Sequence, residues 1–458
     1  MRITKISVEK LFGFFDHEIR LNMDDRITII HAPNGYGKTL ILKMVNGLFN
    51  SRYSDLRNTP YKSFHVEFDN DQRLEIRQDL EPQKRSKIIP LEFTLHNRNG
   101  DQIESFKTKS AQKDMDARRI PISAFEDLIP GLTRITGGTW FYQVTGETLG
   151  TEEVIEQFSE NIPGLVMESP RQGEEWLMKI KSEVNVYFIE SQRLLSFTNE
   201  KNIKNYRKSS NSALLPTVTA YSDELVQEIK ERLSEYASVS QSLDGSFPTR
   251  VVKRMSFNEL TNDELRSKLA ELEESRNRLM ESGLLEKEEE QNFPIQPQDN
   301  IDEGIKNVLA VYVEDVEKKL AVFGDIASKI ELFRRIINSK FSYKEIVVSR
   351  EKGFIFRFKY PKSNNNSVSD FLSPSSLSSG EQHELVLLYE LLFKVKENSL
   401  VLIDEPELSL HVGWQVNFLR DLQEITELAG LDMLIATHSP SLIHDRWDLT
   451  VELKGVSS

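Results

Sequence analysis

The sequence predicts an α/β fold in which both ends of the chain build one sheet with flanking helices and a short helical hairpin is inserted between them. Near the N-terminus, a strand-like run over 26–31 leads into a glycine-containing turn and then into apolar residues at helical spacing. Near the C-terminus, two apolar runs end in polar residues at Asp404 and His438. Helical periodicity dominates much of the middle, so the ends carry the predicted sheet.

Composition limits the class of protein. The 458 residues are 38% hydrophobic, enough for two or three domains with a sizeable core. The lack of cysteine excludes disulfides, a zinc hook and thiol catalysis in this sequence and suits a reducing compartment. No apolar run reaches membrane-spanning length, so we expect a cytoplasmic protein without a membrane partner. The net charge of −14 disfavours broad DNA binding, although a local basic groove stays open.

Strand-like alternation covers much of the N-terminal part. The predicted strands are 2–9, 17–22 and 26–31, a further group at 63–69, 72–79 and 89–96, and a buried strand at 184–189. The Gly- and Thr-rich region 131–150 predicts loops.

Apolar residues at helical spacing fill the middle of the chain. One helix is predicted around 225–236, a heptad seam at 265–279, and a longer helix at 305–337 after a break. The last two are predicted to form an antiparallel hairpin, or arm. The predicted domains are 1–198 and 343–458, which together form the sheet-containing part, and 199–342, the helical insertion.

Strand patterns return beyond this insertion. They cover 344–349 and 353–359, and the Ser/Asn-rich segment 362–376 predicts a loop. Ser378 or Ser379 then caps a predicted helix. Its apolar face is formed by Leu385, Leu388, Leu391 and Leu392.

Residues 32–39, Ala-Pro-Asn-Gly-Tyr-Gly-Lys-Thr, have the pattern of a phosphate-binding turn. Such a turn needs glycines where the chain bends, inward-pointing N–H groups and a cation. Lys38 is predicted to bridge the β- and γ-phosphates, and Thr39 to place its hydroxyl on Mg²⁺. Ala32 replaces the usual first glycine and would cost about 1 kcal/mol or more at positive φ. A chance Gly-rich turn is the alternative. The predicted nucleotide-binding residues here are Asn34, Gly35, Tyr36, Gly37, Lys38 and Thr39.

Two carboxylates follow the apolar run 400–403. Asp404 is predicted to hold Mg²⁺ through water and Glu405 to polarise the attacking water, with a plain acidic turn as the alternative. His438 is predicted to contact the γ-phosphate, although a lone histidine is more often structural. Gln192, near the end of the strand at 184–189, either senses Mg²⁺ or water or belongs to a polar turn.

The residues Ser378-Ser379-Gly380-Glu381-Gln382 stand at a predicted helix N-terminus. Free N–H groups and the helix dipole favour anions there. We therefore predict that Ser378, Ser379, Gly380 and Glu381 bind nucleotide, with an ordinary helix cap as the alternative.

These motifs, in this order, resemble the ABC-type ATPase superfamily of SMC, RecF and OLD-like proteins. The resemblance implies an ABC-type ATPase head that uses ATP and Mg²⁺. It also implies a homodimer or larger homo-oligomer in which two heads sandwich two ATP molecules and Ser378 faces the γ-phosphate of the other subunit. Lys38 and Ser378 lie further apart than in compact transporter subunits, which favours the recombination and defence branch.

Within that branch, segments 11–49 and 242–248 resemble the AriA-type ATPases of the PARIS antiphage system, with the PtuA-type ATPases of Septu as a near alternative. The resemblance implies a sensor and scaffold that restrains a separate nuclease until a phage trigger protein is detected. The nuclease subunit is of TOPRIM type (AriB-like) in the first case and of HNH type in the second. We find no His, Asp and Glu cluster that indicates a nuclease centre in this chain.

Two further interpretations stay open. A RecF- or SMC-like DNA-repair ATPase would bind DNA in its ATP state, and the acidic balance and short arm count against it. A free-standing ATPase without a partner is the other. The role of two basic clusters is also open. They bind an acidic trigger protein or nucleic acid, or they are loop residues that face solvent. They are Lys201, Lys204, Arg207 and Lys208, and Arg250, Lys253 and Arg254.

Overall fold

A computed structural model describes residues 1–79, 89–108, 125–129, 131–136, 138–142, 147–151, 154, 158, 173–189, 195–197, 214–254, 261–286, 303–359, 371–408 and 410–455. The chain divides into two compact units. The first comprises Met1–Thr217 and Val386–Ser458, and the second comprises Val218–Leu385. Among the described residues, helices that are long and apolar enough to cross a bilayer are absent. The domain limits predicted from the sequence stay a prediction.

The strands, in chain order, are β1 (Ile3–Leu11), β2 (Phe15–Arg20), β3 (Ile27–His31), β4 (Ser63–Phe68), β5 (Arg73–Gln78), β6 (Leu91–His96), β7 (Gln102–Lys107), β8 (Leu132–Thr136), β9 (Thr139–Tyr142), β10 (Glu147–Gly150), β11 (Val186–Ile189), β12 (Leu195–Phe197), β13 (Leu214–Pro216), β14 (Lys344–Ser349), β15 (Gly353–Phe358), β16 (Phe371–Leu372), β17 (Leu400–Asp404), β18 (Asp432–Thr437) and β19 (Thr450–Glu452). The helices are α1 (Lys38–Phe49), α2 (Ser54–Asn58), α3 (Phe125–Leu128), α4 (Glu175–Glu183), α5 (Thr217–Arg254), α6 (Asn262–Glu281), α7 (Glu303–Ala321), α8 (Gly324–Lys340), α9 (Ser379–Tyr389), α10 (Val412–Ala429) and α11 (Pro440–Ile443).

A parallel sheet in the first unit combines strands from both ends of the chain. Its order is β11-β17-β18-β3-β19, and every neighbouring pair is parallel. β18 is buried along its whole length and β17 up to Ile403, as expected for parallel strands covered on both faces. The predicted α/β fold is confirmed. Because parallel strands end at one edge, β3, β17 and β18 bring their following residues together.

A second sheet of the first unit is antiparallel, in the order β2-β1-β4-β5-β6-β7. The strands predicted at 63–69, 72–79 and 89–96 are confirmed, with ends that differ by one or two residues. Helix α1 follows β3 directly and buries Ile41, Leu42, Val45 and Leu48 completely. The spacing of these four residues is that of one helix face, so the predicted strand–turn–helix unit is also confirmed.

The loop prediction for 131–150 is wrong. β8, β9 and β10 form a three-stranded antiparallel sheet, with Trp140 fully buried against Phe125. Gly131 and Gly138 lie just outside the strands, with φ 80° and φ 109°. Thr133, Thr136, Thr139 and Thr148 lie in strands, which suit their branched side chains.

The second unit is mainly helical. α6 lies against α7, as the hairpin prediction requires, and Lys268 of α6 pairs with Glu317 of α7 at 3.4 Å. The single helix predicted at 305–337 is wrong, because α7 ends at Ala321 and α8 begins at Gly324. Between them, Phe323 is fully buried against Tyr236 of α5, with ring centroids 5.3 Å apart. The apolar pattern at 305–337 therefore reflects residues that are buried on both sides of a turn, and not one continuous helix.

Candidate nucleotide-binding and hydrolysis site

The turn between β3 and α1 has the backbone that a phosphate loop requires. Gly35 and Gly37 both have φ 87°, a conformation that favours glycine. A Cβ on Gly37 would lie 2.6 Å from Leu11 Cδ2, whereas a Cβ on Gly35 would meet nothing within 4 Å. Ala32 is not among the residues with positive φ, so the predicted cost of replacing glycine is not incurred.

The N-terminus of α1 is open to an anion. Gly37 caps the helix without a side-chain hydrogen bond, and its first turn carries no acidic residue. The first N–H groups of an α-helix have no partner within the helix, and the helix dipole makes this end positive. A phosphate group fits these donors.

Lys38 provides the cation of this turn. It is 5% exposed, and its Nζ donates to the carbonyl oxygens of Ala32 at 2.8 Å and Pro33 at 3.4 Å. The ammonium group therefore lies across the loop rather than in solvent. A buried ammonium needs oxygen partners, and phosphate oxygens are suitable ones.

Residues of β2 support the loop from outside. The ring of Tyr36 stacks on Phe15 with centroids 5.2 Å apart, and the Tyr36 carbonyl accepts from His17 Nε2 at 3.0 Å. Burial lowers the pKa of His17, against the opposing effect of this hydrogen bond. Sequence reasoning missed His17. The available signal was the alternation in β2, which places His17 on the buried face.

Thr39 and Asp404 meet where α1 begins and β17 ends. Thr39 Oγ1 donates to Asp404 Oδ1 at 3.0 Å. Burial raises the pKa of Asp404 and the Glu405 carboxylate adds to this, while the Thr39 hydrogen bond opposes both. A hydroxyl and a carboxylate are oxygen ligands of the kind that Mg²⁺ prefers, so the residues present fit this ion.

A cation here would need further ligands. Groups of three or more His, Asp or Glu suited to a metal are absent from the part of the chain that the structure describes. Mg²⁺ commonly takes one or two carboxylates and completes its shell with water and substrate phosphates. The Thr39–Asp404 pair beside the phosphate loop is consistent with that mode of binding.

Glu405 and His438 also lie together. Glu405 has φ 42°, a sparsely populated conformation for a side chain of this size, and its N–H donates to the Ala436 carbonyl at 2.9 Å. Its Oε1 is 3.6 Å from His438 Nδ1. A strained backbone held by neighbouring structure is typical of functional positions. The two residues predicted to act on water and γ-phosphate are thus adjacent.

Ser378 and Glu381 form a capping box at the start of α9, in the second unit. Glu381 Oε2 accepts from Ser378 N at 2.8 Å, and Ser378 Oγ accepts from Glu381 N at 3.4 Å. Lys344 Nζ donates to both Glu381 oxygens, at 2.8 and 3.0 Å. Burial acts to raise the pKa of Glu381, but the bonds from Lys344 and Ser378 lower it overall.

The surface at this helix start is accessible. Ser378 and Ser379 are exposed, and a Cβ on Gly380 would meet nothing within 4 Å. The ordinary helix cap, which was the alternative prediction for these residues, is present as the capping box of Ser378 and Glu381. Such a cap does not block the outer face of the turn.

Other predicted residues lie elsewhere. Gln192 and the cluster at 201–208 fall outside the described residues. Arg250 does not offer a free charge, because it forms a bidentate ion pair with Asp315 and donates to the Leu243 carbonyl at 2.7 Å.

A family match covers the part of the chain that contains the C-terminal residues of this site. The family described as "AAA domain, putative AbiEii toxin, Type IV TA system" matches residues 164–444. These residues include Asp404, Glu405 and His438 but not the phosphate loop. Protein ea59 of Escherichia phage lambda is 39% identical over 69 residues, which make up 15% of this chain and only 13% of the length of that relative.

Two SMC head domains are among the solved structures that are similar. The Pyrococcus furiosus head with an extended coiled coil, bound to the C-terminal domain of ScpA, has 12% identity and a TM-score of 0.32, with 96% of this chain and 91% of that chain covered. The Thermotoga maritima head has 11% identity and a TM-score of 0.32, with coverages of 97% and 91%. At such scores, the strand order described above is the better guide to the fold.

Proposed function

We infer that this chain, which belongs to the AAA domain family of the AbiEii type, binds ATP at residues 32–39 and hydrolyses it with Asp404, Glu405 and His438. The contact between Thr39 and Asp404 is the observation that carries this proposal. It joins the phosphate loop, which lies outside the family match, to the acidic strand end within it.

The residues divide the chemistry among them. Backbone N–H groups at the start of α1 and the Lys38 ammonium hold phosphate oxygens. Thr39 and Asp404 would hold Mg²⁺, which would offset the negative charge on those oxygens. Glu405 orients the attacking water and accepts its proton. His438, beside Glu405, contacts the γ-phosphate.

A second copy of the chain completes the site in this proposal. Three apolar side chains that follow Glu405 in the chain are well exposed, namely Leu408 at 66%, Val412 at 69% and Val416 at 50%. Val412 and Val416 lie one turn apart on α10, and a contiguous exposed apolar patch is typical of a protein interface. The start of α9 presents accessible Ser378 and Ser379, which suits contact with nucleotide on the other copy. ATP thus holds two heads together.

The biological role that we propose is antiphage defence. ATP-linked heads form a sensor and scaffold that restrains a separate nuclease subunit, of TOPRIM or HNH type, until a phage trigger protein is detected. The toxin named in the description of the family supports a role in which growth or infection is halted.

Native mass spectrometry tests this role. The tagged chain is expressed from its own locus with the flanking genes and purified in gentle salt with ATP. A stoichiometric second subunit with nuclease motifs supports the restraint of a nuclease, and its type separates the TOPRIM from the HNH case. A homo-oligomer alone contradicts it and favours the repair ATPase. In that case we expect the chain to bind duplex DNA only when ATP is present. This binding should weaken steeply as the salt concentration is raised.

A further inference from the structure

Glu407 is a third carboxylate at the site, and no motif above includes it. It lies in the short turn Pro406–Leu408 after β17, and its side chain is only 7% exposed. A carboxylate buried to this extent needs hydrogen-bond donors or a cation to offset the loss of water. Its partners therefore indicate what it does.

Among the described residues, the donors to the Glu407 carboxylate come from the end of β18 and the histidine that follows. Glu407 Oε1 accepts from Thr437 Oγ1 at 2.7 Å and from the His438 backbone N–H at 3.0 Å. The same oxygen lies 3.2 Å from His438 Nδ1. One oxygen thus contacts both the main chain and the ring of His438.

The ring nitrogens of His438 are made different by this arrangement. Nδ1 faces Glu407 at 3.2 Å and Glu405 at 3.6 Å. An ionised carboxylate only accepts hydrogen bonds, so these two side chains would favour the His438 tautomer with its proton on Nδ1. The partner of one imidazole nitrogen sets the role of the other. Nε2, on the opposite side of the ring, is left for the nucleotide.

A chain of hydrogen bonds fixes Glu407 itself. Thr437 Oγ1 also accepts from Ser439 N at 3.0 Å, and Ser439 Oγ donates to Gln415 Oε1 at 3.3 Å. Gln415 Nε2 then donates to the Glu407 carbonyl at 3.4 Å. This closes a ring of contacts through the start of α10. Such networks restrict each member more than a single bond does.

We propose that Glu407 is a positioning residue that orients His438 for ATP hydrolysis. It holds the main chain at the histidine and directs the ring so that Nδ1 points to the carboxylates and Nε2 to the nucleotide. The part that concerns hydrolysis rests on the ATPase function proposed above. The orientation of the ring does not, and it can be measured without nucleotide.

The first test measures the ring directly. The full chain is labelled with ¹⁵N-histidine, and the His438 signals are assigned by their loss in His438→Gln. We expect the nucleotide-free wild type to carry the proton on Nδ1, and Glu407→Ala to shift the ring toward the Nε2–H form. An unchanged His438 signal in Glu407→Ala overturns the proposal, whatever the ATPase activity. Glu407→Met, which keeps most of the side-chain length but has no acceptor oxygen, serves in its place if the alanine variant does not fold.

The second test separates positioning from general destabilisation. We expect Glu407→Ala to lower kcat at least about tenfold while KM for ATP changes little, as for a residue that orients a catalytic histidine. Glu407→Gln keeps a carbonyl oxygen for Thr437 and His438, so it should lose less. Asp421→Asn, at a buried carboxylate on α10, is the matched control and should keep kcat and the His438 signal.

The two tests fail in different ways. If the His438 ring changes but the wild type does not hydrolyse ATP, the ATPase proposal fails and the positioning of His438 by Glu407 is supported. If the wild type is active and Glu407→Ala keeps its kcat, Glu407 does not position the histidine for hydrolysis. An equal loss in Asp421→Asn also contradicts a specific role.

Discussion

Thr39 Oγ1 donates a 3.0 Å hydrogen bond to Asp404 Oδ1, although 365 positions separate the two residues in the sequence. Thr39 is the last residue of the phosphate loop and lies in the first turn of α1, and Asp404 is the last residue of β17. The parallel sheet brings them together because β3 and β17 both flank β18 and end at the same edge. Segments from the two ends of the chain therefore share one site.

Loss of the Lys38 ammonium should weaken ATP binding. Lys38→Ala removes charge-assisted hydrogen bonds to phosphate oxygens, each worth about 1.5–3 kcal/mol, so affinity should fall about tenfold to a hundredfold. Isothermal titration calorimetry with ATP and Mg²⁺ measures this. Lys62→Ala, which removes an exposed lysine paired with Glu9, is the control and should bind as the wild type does. Equal affinities for the wild type and Lys38→Ala would refute the assignment of the phosphate loop.

The two glycines of the phosphate loop should differ in their tolerance of a side chain. Gly35→Ala adds only the strain of a positive φ, about 1 kcal/mol. Gly37→Ala adds the same strain and forces its Cβ against Leu11, which is fully buried, so a further 1–3 kcal/mol or so is expected. Urea unfolding of both variants measures the difference. Equal losses of stability would mean that Leu11 does not confine the loop.

A bulky charge at the start of α9 should block engagement between heads. Ser378→Arg is expected to bind nucleotide like the wild type but to stay monomeric with ATP, as measured by light scattering after gel filtration. Ser378→Ala is the matched control, because it also removes the cap, at about 1 kcal/mol, but adds no bulk. Dimerisation of Ser378→Arg with ATP would exclude α9 from the interface.

Lys181 should make stability depend on pH. Burial lowers the pKa of Lys181 to about 8 from 10.5, and its Nζ donates to Ser51 at 3.0 Å and to Tyr53. The unfolded state therefore binds more protons between pH 8 and 10.5, so stability rises with pH across that window. The full effect is on the order of 3 kcal/mol as an upper limit. Below pH 8 the cost of burying the charge is fully present.

Urea unfolding between pH 7 and 10 tests this dependence. Lys181→Met should lose the rise in the free energy of unfolding that the wild type shows above pH 8. Lys179→Met, at an exposed lysine on the same helix, should keep it. Parallel pH profiles for the wild type and Lys181→Met would show that the Lys181 side chain keeps its ordinary protonation in the folded state.

Local sequence was enough to predict the parts of the site that depend on a short motif. The glycines and Lys38 at 32–39 define a strand–turn–helix unit because their spacing fixes the backbone locally. The apolar run before Asp404 likewise indicates a buried strand that ends in a carboxylate. The joining of both ends in one sheet followed from the order of the motifs.

What could not be predicted depends on contacts between distant segments. Nothing near Glu407 in the sequence shows that its carboxylate is buried against Thr437 and His438. His17 similarly reaches the Tyr36 carbonyl from another strand. The break between α7 and α8 at Phe323 was not predicted, because burial of Phe323 against α5 gives the same apolar spacing as a continuous helix would.

The most direct measurement is ATP turnover and oligomeric state for Glu405→Gln beside the wild type. Glu405 is proposed to accept the proton of the attacking water, and an amide cannot, so kcat should fall about a hundredfold or more while ATP still binds. ATP-bound dimers should then accumulate in light scattering. Glu397→Gln, at an exposed carboxylate, should behave as the wild type does. Equal turnover by Glu405→Gln and the wild type would contradict the proposed hydrolysis site.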